Sequence, residues 1–334
     1  MPELLVPETT DLPAGTVHVE LPTPFPVGAV NCYLLTESPV TVIDPGMLYG
    51  GTVETLSEAI EHAGLRLADI EVVLVTHGHP DHFGAAGWLA EQAGAVVLTG
   101  RDELPKLLET RDREQLRTLI GSFGIPDEDL AVFPAFYALV KEWIHDIDPA
   151  TVVAVDDGAV LELGGRTFDA IVTPGHAAGH LSLWDPVDRV LFSGDHLLPS
   201  ITPNPLVELD EHSDLGRRRS LVEYLASLDR FAALHPSVVL PGHGPVFSDV
   251  GALLARTRAH HDQRAEDLAR HVAALGEATA FELSRAMFPH IDGFEVMLSI
   301  SEVLGHIDLL IEGGAVTQTG DCPIRYAAAS RSTP

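Results

Sequence analysis

Cysteine, lysine and methionine are scarce in this chain. Its 334 residues include two cysteines, Cys32 and Cys322, two lysines, Lys106 and Lys141, and four methionines. Two widely separated cysteines make no disulfide framework and read as reduced thiols, which points to a cytoplasmic setting. No apolar run approaches the ~20 residues of a membrane span. The opening stretch Met1-Pro2-Glu3-Leu4-Leu5-Val6-Pro7 lacks a basic region followed by an apolar core, so no signal peptide is expected. Positive charge is short as well: 20 Lys and Arg face 49 Asp and Glu, a formal charge of −29. That charge repels nucleic acid and anionic membranes at long range, although it leaves room for a local basic groove.

Apolar content, by contrast, is 46%, ample for a core, and the length suits one large domain or a large one plus a small one. Strand patterns run through residues 16–21, 30–35 and 40–44, with Ser38-Pro39 as a turn between the last two. An amphipathic helix follows at 52–63, then apolar strands at 70–75 and 95–99. Residues 101–150 carry no strand pattern and read as a helical insert broken by Pro105, Pro126 and Pro134. Strands return at 152–155, 160–163, 168–172, 181–184, 190–192 and 238–240. Two blocks of strands and helices around an insert predict two packed sheets with helices outside.

Beyond residue 250 the pattern changes. Residues 251–275 read as one long helix, on which His260-His261 is expected to be a solvated face. Val296, Ile300, Val303, Leu304, Ile307, Leu310 and Ile311 recur at spacings of three and four, an apolar stripe on a further helix. Ile300, Leu304, Ile307 and Ile311 are expected to pack inward. Gly313-Gly314 stops that helix and a short strand at 315–317 follows. Two helices and a small β-wing resemble a winged-helix module.

The chemistry is concentrated in His77-x-His79-x-Asp81-His82, immediately after the 70–75 strand. A spacing of two on a tight loop aims His77 and His79 at one point, and Asp81 and His82 can reach a second point nearby. Imidazole and carboxylate together suit zinc, and also iron or manganese. Three more strand ends add donors: Thr173-Pro174-Gly175-His176, Ser193-Gly194-Asp195-His196 and Pro241-Gly242-His243-Gly244. Each sets a His or Asp beside glycine, where backbone can turn sharply. Four strand ends offering ligands is a metal-site pattern, not a core-packing one.

On these residues the chain resembles the metallo-β-lactamase superfamily over residues 16–250, with all five motifs: Asp44 in Val-Ile-Asp-Pro-Gly, the 77–82 cluster, His176, Asp195 and His243. The resemblance implies an α/β fold, the αββα sandwich, with metals at one end. It implies that His77, His79 and His176 hold one divalent ion, that Asp81, His82 and His243 hold another, and that Asp195 bridges them. Asp44 would orient a ligand histidine. The implied domains are 1–250, catalytic, with the insert at 101–150; 251–276, a connecting helix; and 277–334, winged-helix-like, as in the lactamase-like-2 branch. His180 is expected to be structural, and Asn31 a strand residue with a polar partner. His196 is a candidate pocket residue. Phe133, Phe136, Tyr137 and Trp143 are either the core of a helical cap or a pocket wall, with Phe136 and Tyr137 the pocket candidates.

Two nearby divalent cations, most simply zinc, can share a water and lower its pKa, so that hydroxide exists at neutral pH. Asp195 would keep the ions together and Asp81 could relay a proton to the leaving group. The first functional expectation is therefore hydrolysis of a small ester, thioester or lactone, by a cytoplasmic enzyme compatible with a homodimer. The alternative is a phosphodiesterase or endoribonuclease with nucleic acid on the winged helix. Against it, residues 279–326 carry Arg285 and Arg325 beside Glu282, Asp292, Glu295, Glu302, Asp308, Glu312 and Asp321. An iron oxygenase on the same fold, such as a persulfide dioxygenase, is disfavoured because the second metal set is complete. The flavodiiron branch usually has Glu where His79 stands. A true β-lactamase is disfavoured without a signal peptide.

Overall fold

A computed structural model of the chain describes residues 12–210, 212–320 and 322–329; Met1–Pro7 and Asp321, both read above, lie outside these. The chain divides into two compact units. Among the described residues, the first joins those up to Arg111 with Leu139–Pro203 and Asp229–Leu253; the second joins Asp112–Ala138, Asn204–Leu228 and those from Leu254 onward. The units are thus interleaved along the chain, whereas the expected division was linear, with cuts at 250 and 276. The reason lies in the second unit's core: Leu119, Phe123 and Ile125 pack with Leu283, Ile300 and Leu304.

In the first unit, β1 (Thr16–Leu21), β2 (Val30–Leu35), β3 (Thr41–Ile43), β4 (Val72–Val75), β5 (Val96–Gly100) and β6 (Val152–Val155) form one sheet in that order. The first two pairings are antiparallel and the rest parallel. A second sheet contains β7 (Val160–Leu163), β8 (Arg166–Val172), β9 (Leu181–Asp185), β10 (Val190–Gly194) and β11 (Val238–Pro241), in the order β11-β10-β9-β8-β7. It is antiparallel except for the β10–β11 pair.

Side chains alternate across a strand with period two, and here both faces are covered. Cys32 and Leu34 of β2 and Val73 and Val75 of β4 join a core with Leu56, Ile60, Ala86 and Leu89, from the helices Thr52–His62 and Ala86–Ala93. Their neighbours Tyr33, Leu35, Val72 and Leu74 instead meet Phe168, Leu183, Phe192 and Leu240 of the second sheet. The result is a two-sheet α/β sandwich. Parallel pairing brings carboxyl ends to a common rim, with Ile43 level with Leu74 and Gly194 level with Pro241. At that rim the sheets are joined by Leu181 N–H donating to the Thr76 carbonyl (2.8 Å) and Asn31 N–H to the Gly242 carbonyl (2.7 Å).

The second unit contains the helices Ala280–Met287 and Glu295–Glu312, most of the helix Val250–Leu275, and a small sheet. That sheet is β12 (Glu277–Thr279), β13 (Val316–Gln318) and β14 (Arg325–Ala328), ordered β12-β14-β13. Ile300, Leu304 and Ile307 are buried together with Leu268, Val272, Leu283 and Tyr326. Ile311, expected inside, is 37% exposed, because it lies in the last turn, past the residues that cover the middle of the helix. A bidentate ion pair between Arg217 and Asp308, 2.7 Å in both arms, ties the 204–228 segment to the same helix. His261, expected on a solvated face, is 1% exposed, and its ring lies against that of His306.

Candidate metal centre

The 70–75 apolar run becomes β4, and its end delivers Thr76 and His77 to the rim. The one-turn helix Pro80–Phe83 then turns Asp81 and His82 inward, both buried; Pro80 at its first position needs no N–H partner there. The other strand ends supply His176 after β8, Asp195 after β10 and His243 after β11.

The donor atoms of these residues converge. One ligand atom from each of His77, His79 and His176 lies within 4.8 Å of the others; the same holds for His77, His82 and Asp195, and for Asp81, His82 and His243. Nε2 of His77 is 2.8 Å from Nδ1 of His79. The Asp195 carboxylate stands between the sets. Its Oδ1 is 3.4 Å from His82 Nε2, and its Oδ2 is 3.6 Å from Nε2 of both His176 and His243. Asp81 Oδ2 is 3.4 Å from His243 Nε2.

Backbone and side-chain bonds aim these groups. Asp44 Oδ2 accepts from His82 Nδ1 (2.8 Å) and from the Thr76 hydroxyl (2.7 Å), while Oδ1 accepts the Thr76 N–H (2.8 Å). Asp44 does this from a left-handed backbone (φ 52), an uncommon conformation for a residue with a side chain. His243 Nδ1 donates to the Ala29 carbonyl (2.7 Å), which turns Nε2 towards Asp81 and Asp195. His180, fully buried, is not among the convergent donors: Thr173 is 2.8 Å from its Nδ1, and its Nε2 accepts the Asp195 N–H at 3.1 Å. It holds the Asp195 backbone in place. Gly242 is required by packing, since a Cβ there would lie 2.1 Å from Asp195 Oδ1.

The electrostatics favour a cation. Burial, then His82 and the other neighbouring imidazoles, push His77 well below the ordinary histidine range; burial, His176 and Lys106 do the same to His79. Both rings are therefore neutral, the form that ligates metal. Burial alone would raise Asp195, yet His82 and His243 hold its carboxyl well below the usual range. Burial likewise opposes the charged form of His82, but Asp195, Asp44 and Asp81 outweigh it and raise that pKa well above the ordinary value. Among the described residues, His82 Nε2, His243 Nε2 and Asp195 Oδ1 are buried with no hydrogen-bond partner. Buried polar atoms left so are costly, and a shared cation, bound in place of the imidazole protons, would satisfy all three. Nitrogen and oxygen donors in this mixture fit borderline divalent ions.

Three positioning roles were not legible in the sequence. Glu103, fully buried, accepts the N–H of Gly78, between His77 and His79, at 2.7 Å, and the N–H of Gly179, in the His176 loop, at 2.6 Å. Thr173 orients His180. Asn31, read only as a strand residue with a polar partner, donates to the Pro241 and Gly244 carbonyls on either side of His243, at 2.9 and 2.8 Å.

The pocket candidates have the following surroundings. His196 is fully buried, its ring 5.5 Å from that of His180 and 5.3 Å from Phe231, so it does not line an open pocket. Phe136 and Tyr137 belong to the second unit, where Phe136 stacks on Phe294 at 4.1 Å. Trp143, in the first unit, makes an edge contact with Tyr49 (5.1 Å). Its neighbour His145 donates its N–H to Gly84, two residues beyond His82. This half-buried aromatic pair therefore adjoins the helix that carries Asp81 and His82.

A family model described as the metallo-beta-lactamase superfamily matches residues 25–243. A probable metallo-hydrolase of Bacillus subtilis, YqjP, is 28% identical over 90% of this chain and 93% of its own length. The hydroxyacylglutathione hydrolase GloC of Haemophilus influenzae is 35% identical over 47% of this chain and 60% of its own. A crystal structure of a metallo-beta-lactamase family protein from Thermus thermophilus superposes with a TM-score of 0.80 at 29% identity, covering 94% of this chain and 98% of that one.

Proposed function

The chain belongs to the metallo-β-lactamase superfamily and is a metal-dependent hydrolase, and we propose that it cleaves small esters, thioesters or lactones at a two-metal centre. The observation that carries this reading is the Asp195 carboxylate, which faces both donor groups: Oδ2 is 3.6 Å from His176 of one and from His243 of the other, and Oδ1 is 3.4 Å from His82 of the second. A carboxylate so placed can bridge two ions. His77, His79 and His176 are the proposed ligands of one, and Asp81, His82 and His243 of the other. Two zinc ions, or iron or manganese in the same donors, would supply a water acidic enough to ionise at neutral pH and polarise the scissile carbonyl.

The chain's own residues do the rest. Asp44 fixes His82 with its Nε2 facing the centre, and His180 fixes Asp195. Asp81, beside His243, is placed to hold a proton for the leaving group. Tyr49 and Trp143 offer an apolar surface to an acyl chain, where burial contributes about 25 cal/mol per Å². The similarity to the Haemophilus hydroxyacylglutathione hydrolase supports an acyl substrate. Two free thiols support a cytoplasmic setting, and the formal charge of −29 supports small molecules rather than nucleic acid as substrates. Among the described residues no helix is long and apolar enough to cross a membrane. Arg285 and Arg325 are paired with Asp292 and Glu282, which leaves little for phosphates.

The test is a substrate panel on zinc-loaded protein: acetyl to octanoyl thioesters, aryl esters and lactones against single-stranded RNA. Acyl cleavage is expected, with little on RNA. Asp195→Ala should lose at least one metal by elemental analysis and nearly all hydrolysis. Trp143→Ala should raise KM more for octanoyl than for acetyl substrates. Strong metal-dependent RNA cleavage with acyl substrates inert would establish the phosphodiesterase alternative instead.

A further inference from the structure

Four titratable side chains outside the centre around Asp195 come together within the second unit. His260 and His261 lie on the helix Val250–Leu275, and Glu302 and His306 on the helix Glu295–Glu312. One ligand atom from each of His260, His261 and Glu302 lies within 4.8 Å of the others. His261 is buried, while His260 and Glu302 are only partly so, which leaves a path from solvent.

The hydrogen bonds settle where the protons sit. His306 Nδ1 lies 2.7 Å from the Glu302 backbone carbonyl. A carbonyl only accepts, so Nδ1 carries the proton. His306 is fully buried, which favours the neutral ring, and its Nε2 is then a lone pair. That lone pair is 3.1 Å from His261 Nδ1, which must therefore be the donor. The remaining atom of His261, Nε2, is left as a bare lone pair. It is buried, and it has no hydrogen-bond partner among the described residues. A histidine whose Nδ1–H is held by a fixed acceptor, with Nε2 presented bare, is in the state that metal-ligating histidines adopt.

We propose that His260, His261 and Glu302 bind one divalent transition-metal ion of the zinc class, linking the helices Val250–Leu275 and Glu295–Glu312, with His306 as the residue that orients His261. Two imidazoles and a carboxylate suit such an ion and leave a fourth position for water. The competing cation is Arg264, whose Nε lies 3.5 Å from Glu302 Oε1. The other carboxylate oxygen remains for the metal, and removing the guanidinium should tighten binding.

The experiment equilibrates the full chain with zinc, counts bound zinc per chain by elemental analysis, and measures affinity by competition with a chromophoric chelator. His260→Ala and Glu302→Gln should each hold one equivalent fewer than the native chain, whatever number the Asp195 centre holds. His306→Phe should weaken that equivalent about 10- to 100-fold. Arg264→Gln should strengthen it. His260 is half-buried, so its replacement is expected to leave the fold intact, checked by circular dichroism. Folded His260→Ala and Glu302→Gln variants that keep the native zinc count at native affinity would overturn the proposal.

Discussion

Glu103 and Lys106 form a buried ion pair, Nζ 3.0 Å from Oε2, one turn apart on the chain. The same carboxylate receives the Gly78 and Gly179 amides, so one residue braces both loops of the His77–His79–His176 set. Glu103→Ala leaves these amides without their acceptor and strands the Lys106 charge. Breaking a buried pair costs about 3–5 kcal/mol. The expected outcome is a loss of that order in urea unfolding together with weaker zinc binding. Unchanged stability and affinity would show that the loops hold their own shape.

Asp44 and His82 form the other support. Asp44→Asn keeps the volume but replaces one acceptor oxygen with an amide that can donate to His82 Nδ1. The proton then moves to Nε2, which faces the Asp195 centre. Zinc affinity should fall about 10- to 100-fold, as for other partners of ligand histidines. A competition titration with a chelator checks it, and the far-ultraviolet spectrum should be unaltered.

The helix Glu295–Glu312 offers a contrast within one stripe. Leu304 is buried in the second unit's core, while Ile311 is 37% exposed. Leu304→Ala should cost about 2–5 kcal/mol. Ile311→Ala should stay within about 0.5 kcal/mol, as surface changes do. Chemical denaturation of the two variants separates the cases, and equal losses would contradict the packing described.

The two thiols should differ in reactivity. Burial, reinforced by Asp44, pushes the Cys32 thiol far up, whereas Cys322 is exposed. Only the thiolate reacts readily. A thiol reagent at pH 8 should titrate one cysteine in the native protein and two after denaturation. Rapid labelling of Cys32 in the folded chain would count against its burial.

Much of the centre was legible in the order of residues. Apolar runs of strand length end in His, Asp and Gly at 76–82, 193–195 and 241–243, and each becomes a buried strand with its donors at the rim. Residue type alone marks a metal ligand, and a strand end followed by a sharp turn is a local feature. Glu103 was not legible, because its partners Gly78 and Gly179 are 25 and 76 residues away. A charged residue near the start of a short helix reads equally well as solvated. The partners of the aromatic residues were not legible for a related reason: Phe136 and Trp143 stand seven positions apart, yet one stacks on Phe294 and the other meets Tyr49 edge-on.

By itself the sequence determined the donor chemistry, the strands that carry it and the family, because those depend on residue identity and short-range periodicity. Tertiary structure alone decided which distant segments share a core. It drew residues 112–138 and 204–228 into the second unit, buried His261 against His306, and set Glu103 beneath two loops. These outcomes rest on packing and on hydrogen bonds between segments far apart in the chain. Helix and strand periodicity says which face of an element is apolar, but not which partner will cover it.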